Sequence, residues 1–210
     1  PNTLDEDLDQ LKKAGVSAVF LPDFDQLYPD DYRYQISEND FSMALCGAHR
    51  PGHFDGVLQV ISKLFNLIRP DRAYFGKKDY QQLVVLKTLA AELFFPVEVI
   101  GCEIVREADG LAMSSRNRYM NTEERKQALF LSRVLQKCRA IAEEGMSTDV
   151  ILQLVQDEIK NYPLVRLDYF DVRSSHDLHL LDTLSAKDAP RGIMAAYCGA
   201  ARILDNLPLM

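Results

Sequence analysis

At 210 residues and 47% hydrophobic content, the chain is long enough to bury the core of one large globular domain or two small ones. A formal charge of −7 and a pI near 5.1 argue against a nucleic-acid partner, because phosphate contacts need clustered Lys and Arg and here these are scattered among more acids. Cys46, Cys102, Cys138 and Cys198 lie far apart with no C-x-x-C pair, and no apolar run nears the roughly 20 residues that span a bilayer. A soluble, cytoplasmic protein with reduced thiols, a small-molecule partner and no membrane association is therefore expected.

Thr3-Leu4-Asp5-Glu6 has capping-box spacing, and Leu4, Leu8 and Leu11 follow at helical spacing until Gly15. Val16 to Leu21, stopped by Pro22, reads as a buried strand. Residues 23 to 50 read as loops with one short strand around Tyr32 to Ser37. From Phe54, a stripe of Val57, Leu58, Ile61, Leu64, Phe65 and Ile68, widened by Val60 and Leu67, predicts a helix buried on more than one side and ended by Pro70. Arg72 to Phe75 is a strand candidate with Gly76 as its exit. Asp79 then caps a helix carrying Leu83, Val84, Leu86, Leu89, Ala90 and Leu93, and Val97 to Ile100 closes a second strand. Helix, strand, turn, helix, strand is the signature of a parallel sheet with crossover helices.

After Gly101 the pattern changes. A polar loop with Gly110 and Ser114-Ser115 leads to the capping signal Asn121-Thr122-Glu123-Glu124 and a long helix to about Glu144, which Gly145 ends. Ser147 or Thr148 caps another helix to about Asn161, and Val165 to Val172 and Gly192 to Leu204 supply strands. The loss of alternation predicts two domains: residues 1–102, carrying a partial parallel sheet, and a smaller α+β domain at 103–210.

Gly76-Lys77-Lys78-Asp79 places backbone N–H groups and two ammonium charges at a helix start, which suits an anion such as phosphate. The plainer alternative is a glycine turn with solvated lysines and a capping aspartate. Gln82 lies three residues on, on the face that Asp79 starts. Gly110 to Arg118 has the hydroxyls and guanidinium groups to wrap a polyphosphate, and equally the turn formers of an interdomain linker. His176 and His179 lack nearby Cys and read as solvated side chains, so no metal site is assigned. His49 and His53 flank Arg50-Pro51-Gly52 before a helix, where capping is the default role. Ser114 and Ser115 have no G-x-S-x-G elbow around them, so a hydrolase is not indicated.

Three blocks taken together carry a resemblance: Arg50-Pro51-Gly52-His53-Phe54-Asp55-Gly56-Val57, Phe75 to Leu83, and Arg106 to Asn117. They resemble the pantothenate synthetase family, and the likeness continues through Pro1-Asn2-Thr3-Leu4 and Ala201 to Asn206. The resemblance implies an α/β fold: a Rossmann-like nucleotidyltransferase domain, incomplete in this sequence, with a C-terminal lid and usually a homodimer. It implies a ligase that joins pantoate to β-alanine through a pantoyl adenylate, releasing AMP and pyrophosphate, with ATP as substrate and Mg2+ expected. By the same resemblance Gly76 and Asp79 would contact the ATP ribose, Lys78 the phosphates, Val105 the adenine through its backbone, and Gln82 the pantoate. Met113, Ser114, Ser115 and Arg116 would close over the nucleotide, with Lys78, Ser114, Ser115 and Arg116 stabilising the transition state. Lys77, counted with the ATP-binding residues, stands where the family usually has Glu and is expected to face solvent.

The family's N-terminal segment has a His-x-Gly-His motif and a Gln for both acids, and neither is found in these 210 residues, which begin at Pro1 rather than Met. The 210 residues alone are therefore expected to be nearly inactive. Two other readings follow from the same blocks: another nucleotidyltransferase-superfamily enzyme, and a non-catalytic fragment that only binds nucleotide.

Overall fold

The computed structural model describes residues 3–29 and 32–210. Two compact units divide the chain between Gln35 and Ile36. The first contains α1 (Leu4–Lys13) and α2 (Phe24–Leu27). Thr3 is the N-cap of α1, but its hydroxyl donates to Asp7 Oδ2 at 3.2 Å instead of completing a capping box. Gly15 ends the helix in a left-handed conformation, with the Val16 N–H reaching back to Leu11 O at 3.0 Å. Pro1 and Asn2, part of the expected N-terminal likeness, lie outside the described residues.

Val16 to Leu21 does not form the expected buried strand: Phe20 and Leu21 are more than half exposed, and the segment enters no ladder among the described residues. A strand exists only through its hydrogen-bonded neighbour, so apolar, β-branched composition is insufficient without one. Tyr32 to Ser37 is likewise irregular rather than a strand.

In the second unit, α3 (Leu45–His49), α4 (His53–Ile68) and α5 (Tyr80–Glu92) pack around Phe54, Leu58, Val85, Leu86 and Leu89. The buried face of α4 includes Gln59 and Ser62, while Leu67 and Ile68, placed in the apolar stripe by periodicity, are exposed. Leu93 falls just beyond α5 and is exposed as well. β1 (Arg72–Gly76) and β2 (Glu98–Cys102) pair in parallel, Arg72 with Glu98 through Gly76 with Cys102, and α5 makes the crossover between them.

Helix α3 packs against Phe41–Met43 so closely that a Cβ on Gly47 would lie 1.7 Å from the Ser42 carbonyl oxygen. Backbone cannot yield as a side-chain tip can. Gly47→Ala is therefore expected to destabilise the protein by about 3 kcal/mol, measured as a lower urea midpoint at unchanged m-value.

The predicted long helix after Asn121 is two helices, α6 (Thr122–Ala128) and α7 (Phe130–Ile141), which turn at Leu129 and end short of Glu144. Its start is as expected: Asn121 Oδ1 accepts from the N–H groups of Glu123 and Glu124, and Glu124 Oε2 accepts from the Asn121 N–H at 2.8 Å. Ser147 caps α8 (Thr148–Ile159). β3 (Val165–Ser174), β4 (Pro190–Cys198) and β5 (Ala201–Pro208) form an antiparallel sheet in that order. The single run expected from Gly192 to Leu204 is a hairpin, turned by Gly199-Ala200 with Cys198 opposite Ala201. Gly199 has φ +56°, and a Cβ there would meet Glu124 Oε1 at 2.0 Å. Phe130, Leu131, Leu135, Ile151 and Met194, each at most 1% exposed, form the main core between α6–α8 and this sheet.

All four cysteines are free, Cys102 exposed and the other three buried. Burial raises the thiols of Cys138 to about 12 and Cys198 to about 11. Exposed Cys102 is expected to react first with a disulfide reagent such as Ellman's, and Cys138 and Cys198 only after denaturation, as followed by peptide mapping.

Candidate active site

β1 runs out at Gly76 into a single 3-10 turn, Lys77–Asp79, and then directly into α5. Asp79 occupies the N-cap position, but its carboxylate makes no cap bond and lies 3.3 Å from Lys78 Nζ. The two glutamines that follow have separate tasks. Gln81 is buried, its amide donating to the carbonyls of Phe41 and Ala44 and accepting from the Cys46 N–H at 3.0 Å. Gln82 faces an open cavity of about 320 Å³.

That cavity is bounded on one side by Lys78, Asp79 and Gln82 and on another by Ser114, Ser115 and Arg116. Six of the residues singled out in the sequence are thus brought together, although Gln82 and Ser114 are separated by 31 intervening positions. Gly76, Lys77, Val105 and Met113 are not among the lining residues. Lys77 turns to Glu103 just past β2 and forms an ion pair there. The Val105 carbonyl accepts from the Met113 N–H at 2.9 Å, and both side chains are exposed.

The polar loop is pinned along its length. Ser114 caps a 3-10 segment, Ser115–Tyr119, through its Oγ and the Arg116 N–H. Buried Asn117 donates to Glu107 Oε1 at 2.6 Å and to the Ala112 carbonyl at 3.0 Å. Arg125 from α6 bridges Glu107 and Asp109 at 2.6 and 2.8 Å. Its apex remains open, with Arg116 making one long contact to the Arg202 carbonyl at 3.3 Å.

Other lining residues had no clear signal in sequence. Cys46, at the start of α3, lies 3.1 Å from the Tyr169 hydroxyl and 3.6 Å from two Arg202 nitrogens, and Asp168 joins Arg202 to His49. Burial raises the Tyr169 hydroxyl far above its ordinary value. Arg50 and His53, which sequence leaves at a helix start, also face the cavity and lie 3.1 Å apart; Gly52, not either histidine, is the N-cap of α4. Lys78, Arg50 and Arg116 thus surround one space with cationic groups.

The His53 pKa is held below the usual 6.5, chiefly by burial and then by Arg50. A depressed histidine means that the unfolded chain binds the proton more readily, so stability falls as pH drops through about 6.5. His53→Gln is expected to flatten that part of the stability–pH curve by a fraction of a kcal/mol, read from urea titrations between pH 5 and pH 7.5. His176 and His179 contact the Lys187 carbonyl and Asp177, and no cluster of three metal-ligating side chains occurs among the described residues. No helix is long and apolar enough to cross a membrane among those residues.

The model of the pantoate–β-alanine ligase family matches residues 1–208. Pantothenate synthetase from Pseudothermotoga lettingae is 42% identical over 207 residues, which cover 98% of this chain and 73% of that one. The enzyme of the same name from Clostridium novyi is 44% identical over 98% of this chain and 72% of its own length. Pantothenate synthetase from Thermus thermophilus superimposes with a TM-score of 0.93 at 40% identity, covering all of this chain and 75% of that structure. A pantoate–β-alanine ligase from Francisella tularensis, complexed with β-γ ATP and β-alanine, gives a TM-score of 0.77 at 27% identity over all of this chain and 71% of that structure. The parallel pair and the antiparallel sheet match the fold of solved pantothenate synthetases, and the chain belongs to the pantoate–β-alanine ligase family.

Proposed function

We propose that these residues form one wall and the closing loop of the nucleotide site of an enzyme that makes pantothenate from pantoate, β-alanine and ATP. The observation that carries this reading is the convergence of Lys78, Asp79 and Gln82 with Ser114, Ser115 and Arg116 on one cavity of about 320 Å³. The pantoate carboxylate attacks the α-phosphorus of ATP, forming the acyl–phosphate bond while pyrophosphate leaves. The β-alanine amine then attacks the acyl carbon, the amide forms, and AMP leaves. In-line displacement at phosphorus depends on positioning and on groups that meet the developing charge. Lys78, the hydroxyls of Ser114 and Ser115, and the Arg116 guanidinium supply that charge complement around the phosphates. Gln82 orients pantoate, and Asp79, beside Gly76, holds the ribose.

Val105 and Met113 have side chains free to cover the base, the former presenting its backbone to adenine. Lys77 contributes through its backbone turn, since its ammonium is engaged by Glu103. Mg2+ would ride on the ATP phosphates, with Asp79 the cavity carboxylate that no arginine engages, since Asp205 is held by Arg106; no step here depends on the ion. Residues 1–102 form the nucleotide-binding part and 103–210 the lid, a division favoured by the change from parallel to antiparallel pairing. A cytoplasmic homodimer accords with the family.

Pantoate-dependent exchange of labelled pyrophosphate into ATP, measured on the protein isolated from its own source, tests the reaction. Exchange that ignores pantoate would point to another nucleotidyl transfer. The purified 210-residue chain alone, lacking a His-x-Gly-His, is expected to run at least about 100-fold slower than its longer relatives, and substantial pantothenate formation by it would refute that part.

A further inference from the structure

The cavity joins two loops that are distant in sequence, and nothing in either loop fixes their separation. Both are tied to the same strand. In β5, Asp205 and Asn206 are at most 2% exposed and point to opposite faces, as successive strand residues must. The Asn206 amide donates to the carbonyls of Lys77 and Lys78, 2.9 Å each, and its Oδ1 accepts from Arg191 Nη1 at 2.6 Å. Both amide hydrogens are therefore spent on the turn that presents Lys78. Arg191 grips the next residue, its guanidinium lying 3.9 Å from the Tyr80 ring centre.

On the other face, Asp205 takes a two-pronged contact from Arg106, 2.8 and 2.9 Å, and Arg106 also donates to the Gly110 carbonyl at 3.0 Å. The Arg202 carbonyl, three residues back, holds Arg116. We propose that β5 is the frame that registers the two walls of the cavity, with Asn206 positioning the Lys77–Asp79 turn and Asp205, through Arg106 and the Gly110 carbonyl, positioning the loop that leads to Ser114–Arg116. The ties leave from adjacent residues, about 3.3 Å apart along the strand, so the spacing of Lys78 and Arg116 is set before any ligand enters. The catalytic part of this proposal rests on the nucleotide reading of the cavity; the mechanical part does not.

Asn206→Asp and Asp205→Asn separate the two ties. The first keeps an acceptor for Arg191 and turns both donors into lone pairs facing carbonyls; the second keeps shape and removes the charge that Arg106 grips. Amide hydrogen exchange by mass spectrometry is expected to rise about tenfold across residues 76–82 in Asn206→Asp, with 106–119 unchanged, and the reverse in Asp205→Asn. ATP affinity by calorimetry is expected to fall about tenfold in each. Uniformly faster exchange along the chain, or no local change, would overturn the proposal, since that is what a role in general stability gives. Should Asn206→Asp not fold, Asn206→Ser and Arg106→Lys carry the same comparison. If the unsubstituted chain binds no ATP, the nucleotide reading fails, and the exchange pattern still decides whether β5 is the frame.

Discussion

Lys78→Ala is expected to weaken ATP binding to the 210-residue chain by about 10- to 100-fold, measured by calorimetry at fixed salt. The Lys78 side chain is about 20% exposed at the cavity wall and lies 3.3 Å from the Asp79 carboxylate, so a phosphate there would gain a charge-assisted contact in a partly desolvated site. Arg116→Ala is expected to follow in the same direction with a smaller loss, because its guanidinium is more exposed and must give up its contact with the Arg202 carbonyl. Lys77→Ala is the control. Its ammonium pairs with Glu103, away from the cavity, and affinity is expected to change less than about threefold. Equal losses at Lys77 and Lys78 would mean that net charge, not position, attracts the nucleotide.

The second large effect concerns the core that supports the loop. Phe130 is fully buried where α7 begins, its ring 5.0 Å from that of Tyr162. Phe130→Ala is expected to cost about 4 kcal/mol, since it removes transfer free energy and leaves a cavity that its rigid neighbours cannot fill. At this chain length that corresponds to a melting temperature lower by roughly 10 °C, read by calorimetric scanning. Leu93→Ala, at an exposed leucine, is expected to remain within about 0.5 kcal/mol of the parent.

What sequence could and could not reveal divides along the range of the interactions. β1, α5 and β2 were legible because each is announced locally, by a glycine exit, a run of apolar residues or a short apolar strand. The Asn121 cap was legible for the same reason, all of its partners lying within three positions. Val16 to Leu21 misled because strand formation is decided by a neighbour that composition does not specify. The β4–β5 hairpin was hidden because both strands are largely buried, so apolar residues continue across the turn with only Gly199 to interrupt them. At the site, motif likeness picked out Lys78, Gln82 and the Ser114–Arg116 loop. Cys46 and Asp205 leave no such mark: Cys46 meets Tyr169 across 123 positions, and Arg106 meets Asp205 across 99. His53 was ambiguous because a helix start and a cavity rim attract the same residues, and His49, which meets Asp168 across the fold, gave no sign of that partner.

The tip of the β4–β5 hairpin and the first turn of α6 occupy one another's space, since the Glu124 carboxylate lies where a side chain at Gly199 would begin. A side chain at 199 would fit only if the Glu124 tip swung aside, and that same carboxylate is the acceptor for the Asn121 N–H. Any residue larger than glycine at 199 therefore loosens the reciprocal cap of α6, so the hairpin tip and the helix start are coupled across 75 positions.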